Sequence, residues 1–261
     1  MWFSSRFRRI VLGSCLAAMA ASQAWAAEPA QSEDLLTDAV HRLACRYDTF
    51  AGVPDDPQGR VVYGTSRGYL HLLRYTGRHY REIWVSPLLG SRIQRVLVAD
   101  LKHDGTYQIL ATTTRGVIYV YDVDTFAPLW QSQDQQFRTV EAIGVGNLDN
   151  DDQLEILFVS EGRLYIYDGL HFIEEWRSDA LFDAHDVVVG DVDNDGTVEI
   201  VLSSGHVLDG RSRTLEWECT QPFGTHLELA DVDGDGKLEL IAGDSDVVTI
   251  WNLDERRQKW D

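Results

Sequence analysis

Two nine-residue stretches concentrate hard oxygen donors in this chain, "DVDNDGTVE" at residues 191–199 and "DVDGDGKLE" at residues 231–239. In the first, Asp191, Asp193 and Asp195 alternate with residues whose side chains turn away. Gly196 then permits a sharp turn, Thr197 offers its backbone carbonyl, and Glu199 completes the set. The second repeats the pattern with Asp231, Asp233, Asp235, Gly236, the carbonyl of Lys237, and Glu239. Calcium takes about six to eight hard oxygens, which one such loop can supply, whereas magnesium demands a stricter octahedron and keeps its waters. No His or Cys stands at a ligand position, so zinc and copper are poor candidates. The chemistry expected of both loops is calcium ligation.

Two more stretches share the spacing in weaker form. Residues 147–155 offer Asn147, Asp149, Asp151, the Gln153 carbonyl and Glu155, with Asp152 in place of the turn glycine. A third and weaker calcium site is expected there, because a non-glycine residue tolerates the turn less well. Residues 100–108 carry Lys102 at the third position and Gln108 at the ninth. A lysine ammonium at that place can sit between Asp100 and Asp104, so no calcium is expected. An EF-hand begins with similar spacing, but it ends on a glutamate at its twelfth position and continues as a helix. Here Leu202 and Ala242 occupy that position, and the flank "VEIVL" reads as a strand.

The elements that must hold these loops are themselves repeated. The loops start at residues 100, 147, 191 and 231, and segments such as "GVIYVYD", "GRLYIYD" and "DVVTIWN" alternate behind three of them. Thr76-Gly77, Asp168-Gly169 and Asp209-Gly210 read as turns. A tryptophan ends each unit, at Trp130, Trp176, Trp217 and Trp260, and Trp84 ends an earlier unit that has no acidic loop. A period of about 40–50 residues holding some four strands is the mark of propeller blades. The expected fold is all-β, a β-propeller of about five four-stranded blades over residues 43–261, with the first blade degenerate. The tryptophans are expected to pack between blades. Closure of the ring alone, an open fan, and closure by a second chain all remain open.

The loops and their strand flanks resemble the FG-GAP/VCBS-type repeat of integrin α-chain propellers and many exported bacterial proteins. Phe223-Gly224 before the last loop and Ala242-Gly243 after it add to that likeness. The unit ends "YDVDTFAPLW" and "LDERRQKW" resemble the tryptophan-docking strands of quinoprotein-type repeats. The resemblance covers about residues 60 to 261. It implies a propeller with structural calcium, and the chain is short for the larger blade number of quinoprotein dehydrogenases.

The N-terminus "MWFSSRFRR" holds three arginines and no acid, and an apolar run leads to Ala24-Trp25-Ala26. Residues 1–26 read as a secretory signal peptide, with a lipoprotein cysteine at Cys15 as the rival. Export to the periplasm, the cell surface or the medium is expected. Residues 27–42 read as a flexible lead-in with a short helix or strand. Without the signal the chain has 20 basic residues against 42 acidic, a net charge of −22. That balance argues against nucleic acid or an anionic membrane surface as partner. Cys45 and Cys219 remain, and export permits but does not require a bond between them.

The sequence has no G-x-S-x-G, H-E-x-x-H or P-loop pattern, so no catalytic residue is assigned. His185 and His226 precede two loops and are expected near the propeller axis. The expected function is a calcium-stabilised module that binds a protein or a surface glycan. The alternative is a polysaccharide hydrolase or lyase with carboxylates such as Asp183 or Asp186 in an axial cleft, about 5–10 Å apart.

Overall fold

The computed structural model describes residues 32–44, 48–149, 151–244 and 247–260, without the side chains at 32–34, 44 and 260. The signal reading on residues 1–26, Cys15 and Cys45 lie outside the described residues.

Among the described residues, twenty strands form five four-stranded sheets, each built from consecutive strands. Blade one is β1 (Phe50–Gly52), β2 (Val61–Gly64), β3 (Leu70–Tyr75) and β4 (Tyr80–Val85). Blade two is β5 (Ile93–Ala99), β6 (Gln108–Thr113), β7 (Ile118–Asp122) and β8 (Pro128–Gln131). Blade three comprises β9 (Ala142–Gly146), β10 (Glu155–Ser160), β11 (Arg163–Asp168) and β12 (Glu174–Arg177). Blade four comprises β13 (Val187–Gly190), β14 (Glu199–Leu202), β15 (His206–Asp209) and β16 (Leu215–Glu218). Blade five comprises β17 (His226–Ala230), β18 (Glu239–Asp244), β19 (Val247–Asn252) and β20 (Arg257–Trp260). The segment "LACRYDTFAGVPDDPQGR" does supply the inner strand of the first blade, as a three-residue β1.

Apolar burial follows the blades. The second strands β6, β10 and β14 are buried along their whole length, and the fourth strands β8, β12 and β16 are mostly exposed. Both flats of an inner blade are covered by neighbours, so its second strand is buried throughout, with apolar residues along its middle and a polar residue at its head. Four clusters join blades one to two, two to three, three to four and four to five. Tryptophans from the fourth strands enter these joints. Trp84 stacks on Phe126 at 5.7 Å, and Trp130 on Phe172 at 5.4 Å, the phenylalanine coming from the next blade each time. Inner strands approach so closely that a Cβ on Gly146 would lie 2.5 Å from Cβ of Val189.

The outer flat of blade five has a different cover. Helix α1 (Ser32–Ala44) lays Ala39 and Leu43 against Ala230, Val232, Ile241 and Ile250. The lead-in is therefore a packed helix along much of its length. At the hub, Asp48 reaches Arg95 of blade two at 2.6 Å and His226 of blade five at 3.6 Å, bridging the first and last blades.

Candidate functional site: the acidic loops

Each acidic loop links the first and second strand of its blade. The antiparallel order places these loops and the third-to-fourth-strand turns on one face of the propeller. The second-to-third-strand turns and the connections between blades lie on the other.

Local hydrogen bonds set the loop shape. The first carboxylate accepts from the amide of the sixth residue: Gly105 to Asp100 at 2.8 Å, Gly196 to Asp191 at 3.1 Å, Gly236 to Asp231 at 3.0 Å. Those glycines have φ of 83°, 89° and 88°, a region that a side chain disfavours. In blade three Asn147 instead donates through Nδ2 to the Asp151 carbonyl at 2.6 Å, so the loop without a glycine is tied differently. The ninth residue is the common anchor. Glu155, Glu199 and Glu239 accept from the amides of Leu148, Val192 and Val232 at 2.6, 2.8 and 3.0 Å.

Three sets of carboxylate oxygens come within 4.8 Å of one another: Asp149, Asp151 and Glu155; Asp191, Asp193 and Glu199; Asp231, Asp233 and Glu239. Such clusters can hold a metal ion, and their hard donors are compatible with calcium. Asp195 and Asp235 face the turn, accepting from the amides of Thr197 at 2.7 Å and Lys237 at 2.8 Å.

Blade two departs from the pattern in an instructive way. Gln108 accepts from the Leu101 amide at 2.9 Å, as the glutamates do, while its Nε2 donates to the Thr106 carbonyl at 3.0 Å. That carbonyl is the seventh position of the loop. An amide donor thus bridges the seventh and ninth positions, where the other loops have only acceptors. Lys102 acts on Asp104 through space, behind hydrogen bonds from Thr106 that do more to lower the Asp104 pKa.

The three carboxylate clusters are not equally compensated. Burial pushes Glu155 and Glu199 up to about 7, neighbouring carboxylates add to the rise, and the backbone amides oppose it. Oδ1 of Asp191 is buried without a hydrogen-bond partner. Asp193 is raised, first by burial and then by Asp195 and Asp191. At the matching position of blade five Asp233 is lowered, first by the hydrogen bond from Lys259. The Lys259 ammonium lies 2.5 Å from Asp233 and 2.9 Å from Glu239.

Lys259 is a residue that spacing within the loops does not reveal, since it arrives from the fourth strand. The signal was the residue before each closing tryptophan: Glu175, Glu216 and Lys259 in blades three, four and five. Glu175 is raised by burial and by Asp168, Asp149 and Asp151 against an opposing Arg213, and Glu216 by burial and by Asp209, Asp193 and Asp195 against an opposing Arg256. Those two fourth strands add negative charge to their loops, and the fifth adds positive charge.

The two carboxylates named for an axial cleft have different settings. Asp183 is fully exposed, while Asp186 is buried and accepts from the Val187 amide at 3.1 Å and the Leu227 amide at 2.8 Å. Asp186 is thereby a staple from blade four to blade five. His185 and His226 do lie at the hub, where the Arg95 guanidinium donates to the His185 carbonyl at 2.7 Å.

Five four-stranded sheets joined face to face define the class as a β-propeller. Residues 147–202, from the blade-three loop to the second strand of blade four, match the FG-GAP-like repeat. The chain is accordingly a β-propeller that carries an FG-GAP-like repeat across blades three and four. Its fold is similar to the computationally designed protein Ika8, with 13% identity and a TM-score of 0.56 over 80% of this chain and 60% of that one. It is similar to BBS1N, crystallised in complex with ARL6DN, with 15% identity and a TM-score of 0.57 over 82% and 68% of the two chains. The V. cholerae biofilm matrix protein Bap1 shares 19% identity, with a TM-score of 0.54 over 81% of this chain and 38% of Bap1. The chain thus spans less than two thirds of Ika8 and well under half of Bap1. No curated protein sequence matches it. No helix among the described residues is long and apolar enough to cross a membrane.

Proposed function

We propose that the protein is an exported, calcium-stabilised propeller that binds another protein. Calcium would sit in the loops of blades three and four, held by Asn147, Asp149, Asp151, the Gln153 carbonyl and Glu155, and by Asp191, Asp193, Asp195, the Thr197 carbonyl and Glu199. The observation that carries the calcium reading is the buried, unpartnered Oδ1 of Asp191 beside Glu199, a carboxylate set with no cation of its own. Its role is to hold the strand pair, because these loops enclose their donors within one blade and leave little room for a substrate.

The face opposite the loops suits a partner. It carries Leu88 and Leu181 on connections between blades and Val247 at the head of β19, each more than half exposed. The loop face has exposed apolar side chains of its own, Ile173 and Leu215, and such side chains on an exported acidic protein favour a protein surface over a nucleic acid. A protein of the same fold, BBS1N, is itself seen in complex with ARL6DN. Asp186, turned onto the backbone amides of Val187 and Leu227, lends no support to the hydrolase reading.

The full chain, captured with calcium from its native envelope, is expected to retain a protein that a Leu88→Glu/Leu181→Glu variant of unchanged Tm loses. Equal retention by both, or turnover of a polysaccharide, would sink this reading.

A further inference from the structure

Lys259 has a role that the loop motif does not anticipate. It stands on β20 directly before Trp260, and its side chain crosses to the blade-five loop. There its ammonium contacts two of the three clustered carboxylates, Asp233 at 2.5 Å and Glu239 at 2.9 Å. We propose that Lys259 is the resident cation of the blade-five loop, so that this blade is closed by an internal ion pair and excludes the metal ion that its motif would otherwise take. The inference rests on the calcium reading of the other two loops.

Three features of the molecule support it. A lysine ammonium offers three donors in a compact point charge, which suits a cluster of acceptors with no other cation. The donor set is changed as well as the charge, because oxygens turned onto an ammonium are not available to a metal. The two blades read as calcium-binding carry glutamates, Glu175 and Glu216, at the position of Lys259. The residue before the closing tryptophan therefore changes the charge that each loop meets, which a nine-residue motif alone does not record, and the blade-three loop also faces the Arg213 guanidinium of blade four.

The location gives the substitution a purpose. Blade five is the blade whose outer flat is covered by α1, and the loop joins β17 and β18, two of the strands that α1 touches. Ala230 and Val232 flank Asp231 and pack on the helix, and Gly234 lies near Leu35, with an added Cβ 3.7 Å from its Cδ1. A lysine lock keeps this joint formed when calcium is scarce, while blades three and four loosen.

The test is calcium binding to the full chain by calorimetry after chelation, with Tm recorded in chelator. Wild type is expected to bind two ions and Lys259→Glu three. Lys259→Gln is expected to lower the Tm in chelator by about 3 °C or more. Three ions bound by wild type, or no added ion with Lys259→Glu, overturns the lysine proposal and leaves the calcium reading standing. If wild type binds no ion, the calcium reading fails instead. The lysine lock is then decided by the Lys259→Gln Tm in chelator, an unchanged value overturning it.

Discussion

Glu155 and Glu199 sit at the ninth position of their loops, buried at the head of a second strand. Each is pushed up to about 7 from an ordinary value near 4.5. A carboxyl with a raised folded pKa supports the fold while protonated. That support is complete below about pH 4.5 and is lost as the pH rises through about 7. The chelated protein should therefore lose thermal stability across this window, and calcium should flatten or reverse the slope, since the ion needs the ionised form. Melting curves in chelator and in calcium from about pH 4 to 8 would show it. A slope unaffected by calcium would contradict the assignment. Asp191→Ala should remove one bound ion and most of the Tm gained on adding calcium. Asp186 belongs to a different economy, that of backbone amides. Asp186→Ala strands the amides of Val187 and Leu227, and about 2–4 kcal/mol of stability should be lost in denaturant titrations, with calcium content unchanged.

Strands are where the repeat was most legible. Alternation and the Asp-Gly turns point to four strands per unit, and the closing tryptophans fall on the fourth strands. The helix was less legible, because "SEDLLTDAVHRLA" is short and its apolar face finds a partner only on the last blade. Packing between inner strands was not legible at all. Gly144 and Gly146 look like ordinary strand glycines, yet an added Cβ on either would meet blade four within 3 Å. Gly146→Ala should cost about 1–3 kcal/mol through overpacking, and Val189→Gly should recover part of it in a double-mutant cycle. Additive losses would mean that the two strands do not touch as described.

At the scale of the whole molecule, the two ends of the ring are treated differently. Blades two to four have both flats covered by blades, whereas blade five is finished by α1 and by the Asp48–His226 contact at the hub. Ala39 is fully buried in that joint. Ala39→Glu should bury an unpaired charge and lower the Tm by several degrees, while Glu at the exposed neighbour His41 should change it little. Parallel melting curves of the two variants check this, and equal Tm values would place α1 off the blade.

By itself the sequence determined the local chemistry. Nine-residue donor patterns, turn glycines and a period-two code act over a few residues, so the acidic loops, the strand count and the propeller class could be read directly. Only the tertiary structure decided which charged side chains each loop meets. Asp233 and Lys259 are 26 residues apart in the chain, and pairing of β18, β19 and β20 brings them to 2.5 Å. Electrostatics depends on distance in space, and a motif records distance along the chain. Of the two complete acidic patterns, the one in blade five thus contacts its own ammonium, and the one around Asp191 keeps a buried oxygen unpartnered.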